Sequence, residues 1–597
     1  MRRRRGIEPA PSRLPPSIWQ GGDHRVTDDS QLPDVTGGRH GAVYPPKQSG
    51  WESDFEEIAI KRSRFAGRVS LLHQNALSRW PFPLAFAMEL LQPGGIMGRI
   101  KIQVLLLLVL LAAGSLRTGE CRRRVGRGHP GGGGVSRRIV GPPPAKGDGG
   151  PEGTSFVYRT TTCCRAATVS LADFGGVSDG VTSNTQAFQA AVAHLAETAP
   201  CEAGGGQLYV PPGRWVTGSF NLTSCFTLFL HRDAVILGSQ DMNEWPLIDP
   251  LPSYGRGRDA PGGRFSSLIL GSNLTDVTIT GDNGTIDGQG AMWWSKYKSG
   301  KLKNTRGYLI ELLYSSGILI SSITLVNSPS WNIHPVYSSD IVVSGITILA
   351  PVNSPNTDGI NPDSCSNVRI EDCYVVSGDD CIAIKSGWDE YGIAVGMPSQ
   401  HISIRRLTCI SPTSAVIALG SEMSGGIEDV RAEDITAINS ESGVRIKTAV
   451  GRGAYVRNIY ARGFVMKTMK WAFWMTGNYG SHPDDHYDPN AIPVVSDISY
   501  SDIVAENVSM AGRLEGIPGA PFRGVCISNA TIQVVKSKKA PWTCTDVEGS
   551  TSSVSPPACA LLPDQGGYGA PCPFPEERLP IEELDFKECS FTLPPPK

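Results

Sequence analysis

The sequence predicts an all-β chain wound into a parallel β-helix, with one helix closing its N-terminal end. Three observations carry this reading. Apolar residues alternate in short pairs that recur along the body. The intervals between recurrences match one coil of a solenoid. A single amphipathic helical segment precedes the first repeat.

The repeat is a polar or Asn/Asp position, then apolar, polar, apolar, a short gap and a second apolar pair. It stands at Val277/Ile279, Ile318/Ile320, Ile341/Val343, Val368/Ile370, Ile402/Ile404 and Val525/Ile527. Weaker copies start at Val430, Ile459 and Ile498. Alternation with period two gives short strands with one buried face. Gly, Asn, Asp and Ser between the pairs supply turns. Successive first positions are 41, 23, 27, 34, 28, 29, 39 and 27 residues apart. A unit of 23 to 29 residues holds about three such strands, one coil of a β-helix. The longer intervals are read as coils with a loop insertion. The L-x-x-L-x-L spacing of leucine-rich repeats is absent, and a β-sandwich would show strands every 8–12 residues without the longer repeat.

The helical segment is Asn184 to Glu197. Phe188, Ala191, Val192 and Leu195 fall at i, i+3, i+4 and i+7, and Asn184 or Ser183 can cap its start. An open solenoid end needs such a cover.

Charge divides the chain. Residues 1–165 hold 25 Lys/Arg and 13 Asp/Glu, and the rest hold 30 and 44. An acidic body argues against nucleic acid as a partner, because phosphate binding needs clustered cations. Residues 1–96 are polar, Arg- and Pro-rich and aperiodic. They are read as a disordered extension, or as sequence upstream of a true start at Met97. Residues 97–119 contain the ten-residue apolar run Val104–Ala113 behind Arg99 and Lys101, the shape of a signal peptide. A membrane association arises only if this segment is retained as an anchor, which Arg122 to Arg124 resist. Residues 120–165 read as a Gly/Arg/Pro linker, and 166–597 as the β-helix domain with a Cys-rich C-terminal tail. Of 14 cysteines, 13 lie in or just before the body, none in C-x-x-C spacing. Sequons occur at Asn221, Asn273, Asn283, Asn507 and Asn529. Together they point to a secreted, disulfide-bonded chain.

Two acidic motifs stand out, Asn356-Thr357-Asp358-Gly359 and Gly378-Asp379-Asp380-Cys381. Asp358 and Asp379 are 21 residues apart, close to one coil, so they land on neighbouring rungs about 4.8 Å apart. Three carboxyls that close cannot all ionise freely, so at least one keeps its proton to higher pH. Acid-catalysed glycoside hydrolysis needs that combination of one acid and one or more carboxylates that activate water. Inversion implies carboxyls roughly 6.5–9.5 Å apart. Asp379 and Asp380 share a cleft only if a turn or bulge intervenes, and Gly378 makes room for one. Arg445 and Lys447, at i and i+2, share a strand face and suit the carboxylate of a uronic acid. Taken singly, each Asp is better read as a turn residue and each cation as solvated surface. The constellation is what marks a site.

These residues resemble glycoside hydrolase family 28, the plant polygalacturonases and their relatives. The resemblance runs through Asp173-Phe174-Gly175, Asp179-Gly180, Asn184 to Phe188, Gly288-Gln289-Gly290 and Ser330-Trp331-Asn332. It continues through both acidic motifs and ends at Arg445-Ile446-Lys447-Thr448. It implies a right-handed parallel β-helix of the pectin-lyase-like kind and inverting hydrolysis of α-1,4-galacturonan in a plant cell wall. It implies Asp379 as general acid, Asp358 and Asp380 as activators of water, and Arg445 and Lys447 as galacturonate ligands. Asn356, at the head of its motif, joins the substrate-binding set. No metal and no cofactor are implied, and a monomer is expected.

One position departs from the family. The usual Gly-His-Gly histidine falls at Ala415, in Ser414-Ala415-Val416. Reduced activity, a different pectic chain (rhamnogalacturonan or xylogalacturonan), a wall-binding protein, or a substitute histidine would each account for it. His334, His401, His482 and His486 are the candidates, and a histidine restored at 415 is expected to raise the rate if the site is merely impaired. The segment Trp471 to Tyr487 is left as either an aromatic loop over the cleft or a packed acidic loop. A lyase is disfavoured, since nothing resembles its acidic calcium site more than the hydrolase acids do.

Overall fold

The computed structural model describes residues 165–535, 540–566 and 570–584. The segments read as extension, signal and linker lie outside the described residues, apart from Arg165. That residue belongs to the body: its buried guanidinium pairs with Asp276 at 2.7 Å. Among the described residues no helix is long and apolar enough to cross a membrane.

The body is a right-handed parallel β-helix of many short strands. The nine positions read as starts of the repeat form one ladder. Val277 pairs with Ile318, then Ile341, Val368, Ile402, Val430, Ile459, Ile498 and Val525, each in parallel register. All nine are buried. A second ladder runs through Ile286, Leu325, Ile348, Val375 and Cys409. A third runs through Ile269, Ile310, Ile333, Ile360, Ile382, Ile417, Val444 and Phe473. Branched aliphatic side chains, joined by Cys409 and Phe473, stack inward along the three, and their burial drives the coil closed.

The polar position before each first-ladder residue has a steric cause. Asp276, Asp340, Asn367, His401, Asp429, Asn458 and Asp497 all hold φ between 49° and 58°, and Gly317 and Gly524 fill the same place. A left-handed residue there turns the chain from one face to the next. Asn, Asp and Gly enter that region at least cost.

The helix Thr185–Thr198 covers the N-terminal end and buries Phe188, Ala191, Val192 and Leu195, as the periodicity requires. Phe188 stacks on Phe220 at 4.4 Å. Asn184 is the N-cap residue but its side chain does not cap the helix. It accepts from Val177 N–H at 2.6 Å and donates to the carbonyls of Thr182 and Val216, tying the entry strand to the first coil. Disulfides join Cys201–Cys225, Cys381–Cys409, Cys526–Cys572 and Cys544–Cys559. Cys365 and Cys373 are buried thiols.

Candidate active site

The third ladder builds the site on its outward side. Register fixes which residues are neighbours. Asp358 follows Trp331, Asp380 follows Asp358, and Ala415 follows Asp380, because Ile333, Ile360, Ile382 and Ile417 are paired two residues later in each rung. The in-register partner of Asp358 is therefore Asp380. Asp379 reaches the same place because residues 378–379 form a bend ahead of the strand Ile382–Ile384. Gly378 is required in that bend: a Cβ would lie 2.1 Å from the Ser354 carbonyl.

Oxygens of Asp358, Asp379 and Asp380 lie within 4.8 Å of one another. This is closer than the separation expected for an inverting pair. Within this cluster, a single water hydrogen-bonded at about 2.8 Å to each of two such oxygens fits the gap.

The three carboxyls are held differently. Asp380 accepts from Lys447 Nζ at 2.5 Å, Ser414 Oγ at 2.5 Å and Ala415 N–H at 3.0 Å. Lys447 outweighs the cost of burial and holds Asp380 below the usual carboxylate range. Burial, reinforced by Asp379, pushes Asp358 up to about 8. Burial and the charge of Asp380 raise Asp379 as well. Asp379 is the most open of the three, half-buried where Asp358 and Asp380 are 3% and 2% exposed. Its Oδ1 accepts the Asp380 N–H at 2.9 Å. Asp358 Oδ2 accepts from Asn361 at 3.1 Å, and its Oδ1 has no partner. The cluster thus combines one ionised carboxylate with two carboxyls that keep their protons to higher pH.

Cations surround it. Lys447 is engaged with Asp380 rather than free for a ligand. Arg445 lies face-on to Trp474 at 3.4 Å, with Tyr479 at 5.6 Å and Glu441 at 3.4 Å. Its Nε has no partner. Asn356 serves as a bridge: its carbonyl oxygen accepts from Arg306 at 2.8 Å, and its amide donates to Asp379 at 3.4 Å.

Several neighbours were not visible in the sequence. Ser414 supplies the hydroxyl on Asp380. Lys385 sits 3.9 Å from Asp358 and 3.0 Å from the buried Glu422, which also accepts from Arg258 at 2.6 Å. The coil offset held a signal for Lys385: Asp363 pairs with Lys385 at the same 22-residue step that relates Asp358 to Asp380.

Each of the four candidate histidines is paired with a carboxylate other than Asp358, Asp379 or Asp380. His334 is buried between Glu311 and Asp363, His401 pairs with Asp429, His482 with Asp389 and His486 with Asp484. The segment Trp471 to Tyr487 is a loop only after Thr476: Trp471 and Trp474 lie in the strand Tyr455–Thr476, which corrects the loop reading for them. Trp474 and Tyr479 flank Arg445, while His482 stacks on Tyr487 at 3.7 Å and Asp484 accepts from Tyr391 at 2.8 Å.

Comparison with known proteins agrees with this architecture. The model of glycosyl hydrolases family 28 matches residues 259–556. A "Probable polygalacturonase" of Vitis vinifera is 69% identical over 432 residues, 72% of this chain and 88% of that protein. A "Polygalacturonase" of Prunus persica is 28% identical over 68% of this chain and 97% of its own. Among solved structures, a hyperthermoactive exopolygalacturonase from Thermotoga maritima superposes with a TM-score of 0.56 at 26% identity. It covers 66% of this chain and 91% of its own. The polygalacturonase of Erwinia carotovora shares the fold at 20% identity and a TM-score of 0.52, over 67% of this chain and 99% of its own. With its ladder of coils, its acid cluster and a relative at this level of identity, the chain belongs to the glycosyl hydrolases of family 28.

Proposed function

We propose that this protein hydrolyses α-1,4-galacturonosyl linkages of pectic polygalacturonan, with inversion, as part of cell-wall carbohydrate metabolism. The observation that carries the reading is the unequal treatment of three adjacent carboxyls. Asp379 keeps its proton and is the most open to a ligand, so it is the general acid for the leaving oxygen. Asp380, held ionised by Lys447 and Ser414, is the base toward water. Asp358 is the second wall of the water site. Arg445, stacked on Trp474 and 3.4 Å from Glu441, is the cation assigned to a galacturonate carboxylate. Lys447 acts mainly through Asp380, and Asn356 positions Asp379. This division refines the sequence reading, in which Asp358 and Asp380 shared one role.

Passage through the secretory route to the cell wall belongs to the same proposal. Four disulfides and five exposed sequon asparagines support it. A monomer acting on the polysaccharide remains the proposed state. The test is release of reducing ends from polygalacturonate at about pH 5, where a raised carboxyl is protonated. Release by the wild type and its loss in Asp379→Asn is the expected result; equal rates in both would sink the acid assignment.

A further inference from the structure

The sheet face that carries the acids is walled on one side of them and less heavily covered on the other. On the N-terminal side, Tyr308 and Trp331 are the in-register predecessors of Asp358, and they stack at 4.8 Å. Both are buried in one cluster with Leu251, Tyr254, Tyr337 and Trp388. Leu251 and Tyr254 come from an excursion ahead of the first repeat, and Trp388 from one that leads into the helix Asp389–Val395. These excursions are tied to each other and to a third, near residue 482. Tyr254 Oη donates to Asp363 at 2.6 Å, Arg256 to the Pro483 carbonyl at 2.5 Å and Trp388 Nε1 to the Ser481 carbonyl at 3.0 Å. A wall therefore stands one rung before the acids.

On the C-terminal side the cover is lighter: Tyr479 lies 5.6 Å from the buried Arg445, and both Tyr479 and Trp474 are only half-buried. Arg445, Trp474 and Arg513 are in register with one another and with Ala418, three residues past Ala415. Arg513 is 40% exposed and Trp474 half-buried.

The wall carries Arg258, linked to the acids through Glu422 and Lys385, which lies 3.9 Å from Asp358. Arg258 donates through Nε to Glu422, lies over the Trp388 ring at 5.0 Å and keeps 28% of its side chain exposed. Its two terminal nitrogens make no hydrogen bond among the described residues. Glu422 is shared with Lys385, so two cations hold one buried anion. A planar guanidinium anchored by Nε and backed by an aromatic ring offers its remaining edge to a carboxylate in bidentate fashion.

We infer that the cleft is blind on the N-terminal side, that Arg258 binds the carboxylate of the terminal uronate there, and that hydrolysis proceeds from a chain end. This rests on the hydrolase reading above and adds to it the mode of attack and one specificity-determining residue. The longer part of the substrate lies along Arg445 and Trp474.

The test uses the full secreted chain with hexagalacturonate labelled at its reducing end, with products followed from the earliest times. One short product of constant length from the outset, with the labelled chain shortening stepwise, is expected. An early spread of internal fragments overturns the inference while leaving the hydrolase reading intact. No hydrolysis at all overturns both. Arg258→Gln should raise KM for galacturonate oligomers on the order of tenfold to hundredfold. Arg258→Lys, which keeps the charge but loses the fork, should fall between. If the variants fold poorly, calorimetric binding of trigalacturonate to Asp379→Asn with and without Arg258→Lys gives the same comparison. Arg258→Lys should weaken binding of trigalacturonate and leave binding of its methyl ester unchanged. Equal KM in all three chains, or equal weakening for acid and ester, would remove Arg258 from the site.

Discussion

Asp380 is the residue on which the site's electrostatics turn, because it receives three donors while its two neighbours receive few. Ser414 is the donor that no sequence signal disclosed. A serine beside a turn has many uses, and only register brings this one to Asp380. Ser414→Ala removes a charge-assisted bond to the ionised form, so Asp380 should take up its proton at higher pH. The acid limb of the rate profile should move upward, and kcat near pH 5 should fall about tenfold. An unshifted limb would show that Ser414 only fills space. Restoring a histidine at 415 is no longer expected to help. Ala415 is fully buried against Ala383 and Ala418. Ala415→His should overpack that contact, costing roughly 1–3 kcal/mol in chemical denaturation, with no gain in rate. The three acids were legible because type and spacing agreed. The engagement of Lys447 with Asp380 was not, since i and i+2 spacing says which face a cation occupies and nothing of its partner.

The single rung is the element from which this molecule is built, and the in-register ladder makes it unusually readable. All nine repeat starts were visible because an αL residue and an inward apolar pair recur in every coil. The long intervals of 41, 34 and 39 residues hold excursions, as expected. Where an excursion folds was not readable, because it depends on contacts such as Tyr391 to Asp484 that join segments 93 residues apart. Beyond the acids, the rung of Trp474 supports Arg445 from behind. Trp474→Ala should leave the guanidinium free to turn, raising KM for galacturonan about tenfold while kcat changes less. Steady-state kinetics would decide it, and an equal fall in kcat with KM unchanged would place Trp474 in the chemistry instead.

Across the whole molecule, buried carboxyls pull stability in opposite directions with pH. Burial raises Asp358 to about 8, against an unfolded value near 3.9. Its stabilising effect is present while it is protonated and is lost as pH rises through that window. Glu311 is lowered to about 2 by Arg264 and His334, acting against burial, so its contribution is present above the ordinary carboxylate range and lost as pH falls. The folded state should therefore be most stable in mild acid. Between pH 5 and 8 the wild type should lose on the order of 1 kcal/mol or more that Asp358→Asn does not lose. Parallel denaturation curves for the two proteins would contradict this.

The most direct measurement of the central claim compares wild type, Asp379→Asn and Asp380→Asn as secreted full chains, assayed for reducing ends from polygalacturonate between about pH 4 and 8. Release by the wild type, declining as the pH approaches 8, with each variant reduced by at least about a hundredfold and still folded, is the predicted result. Retained activity in either variant would contradict the division of one acid and one base among these carboxyls, and so would a wild-type rate that keeps rising past pH 8.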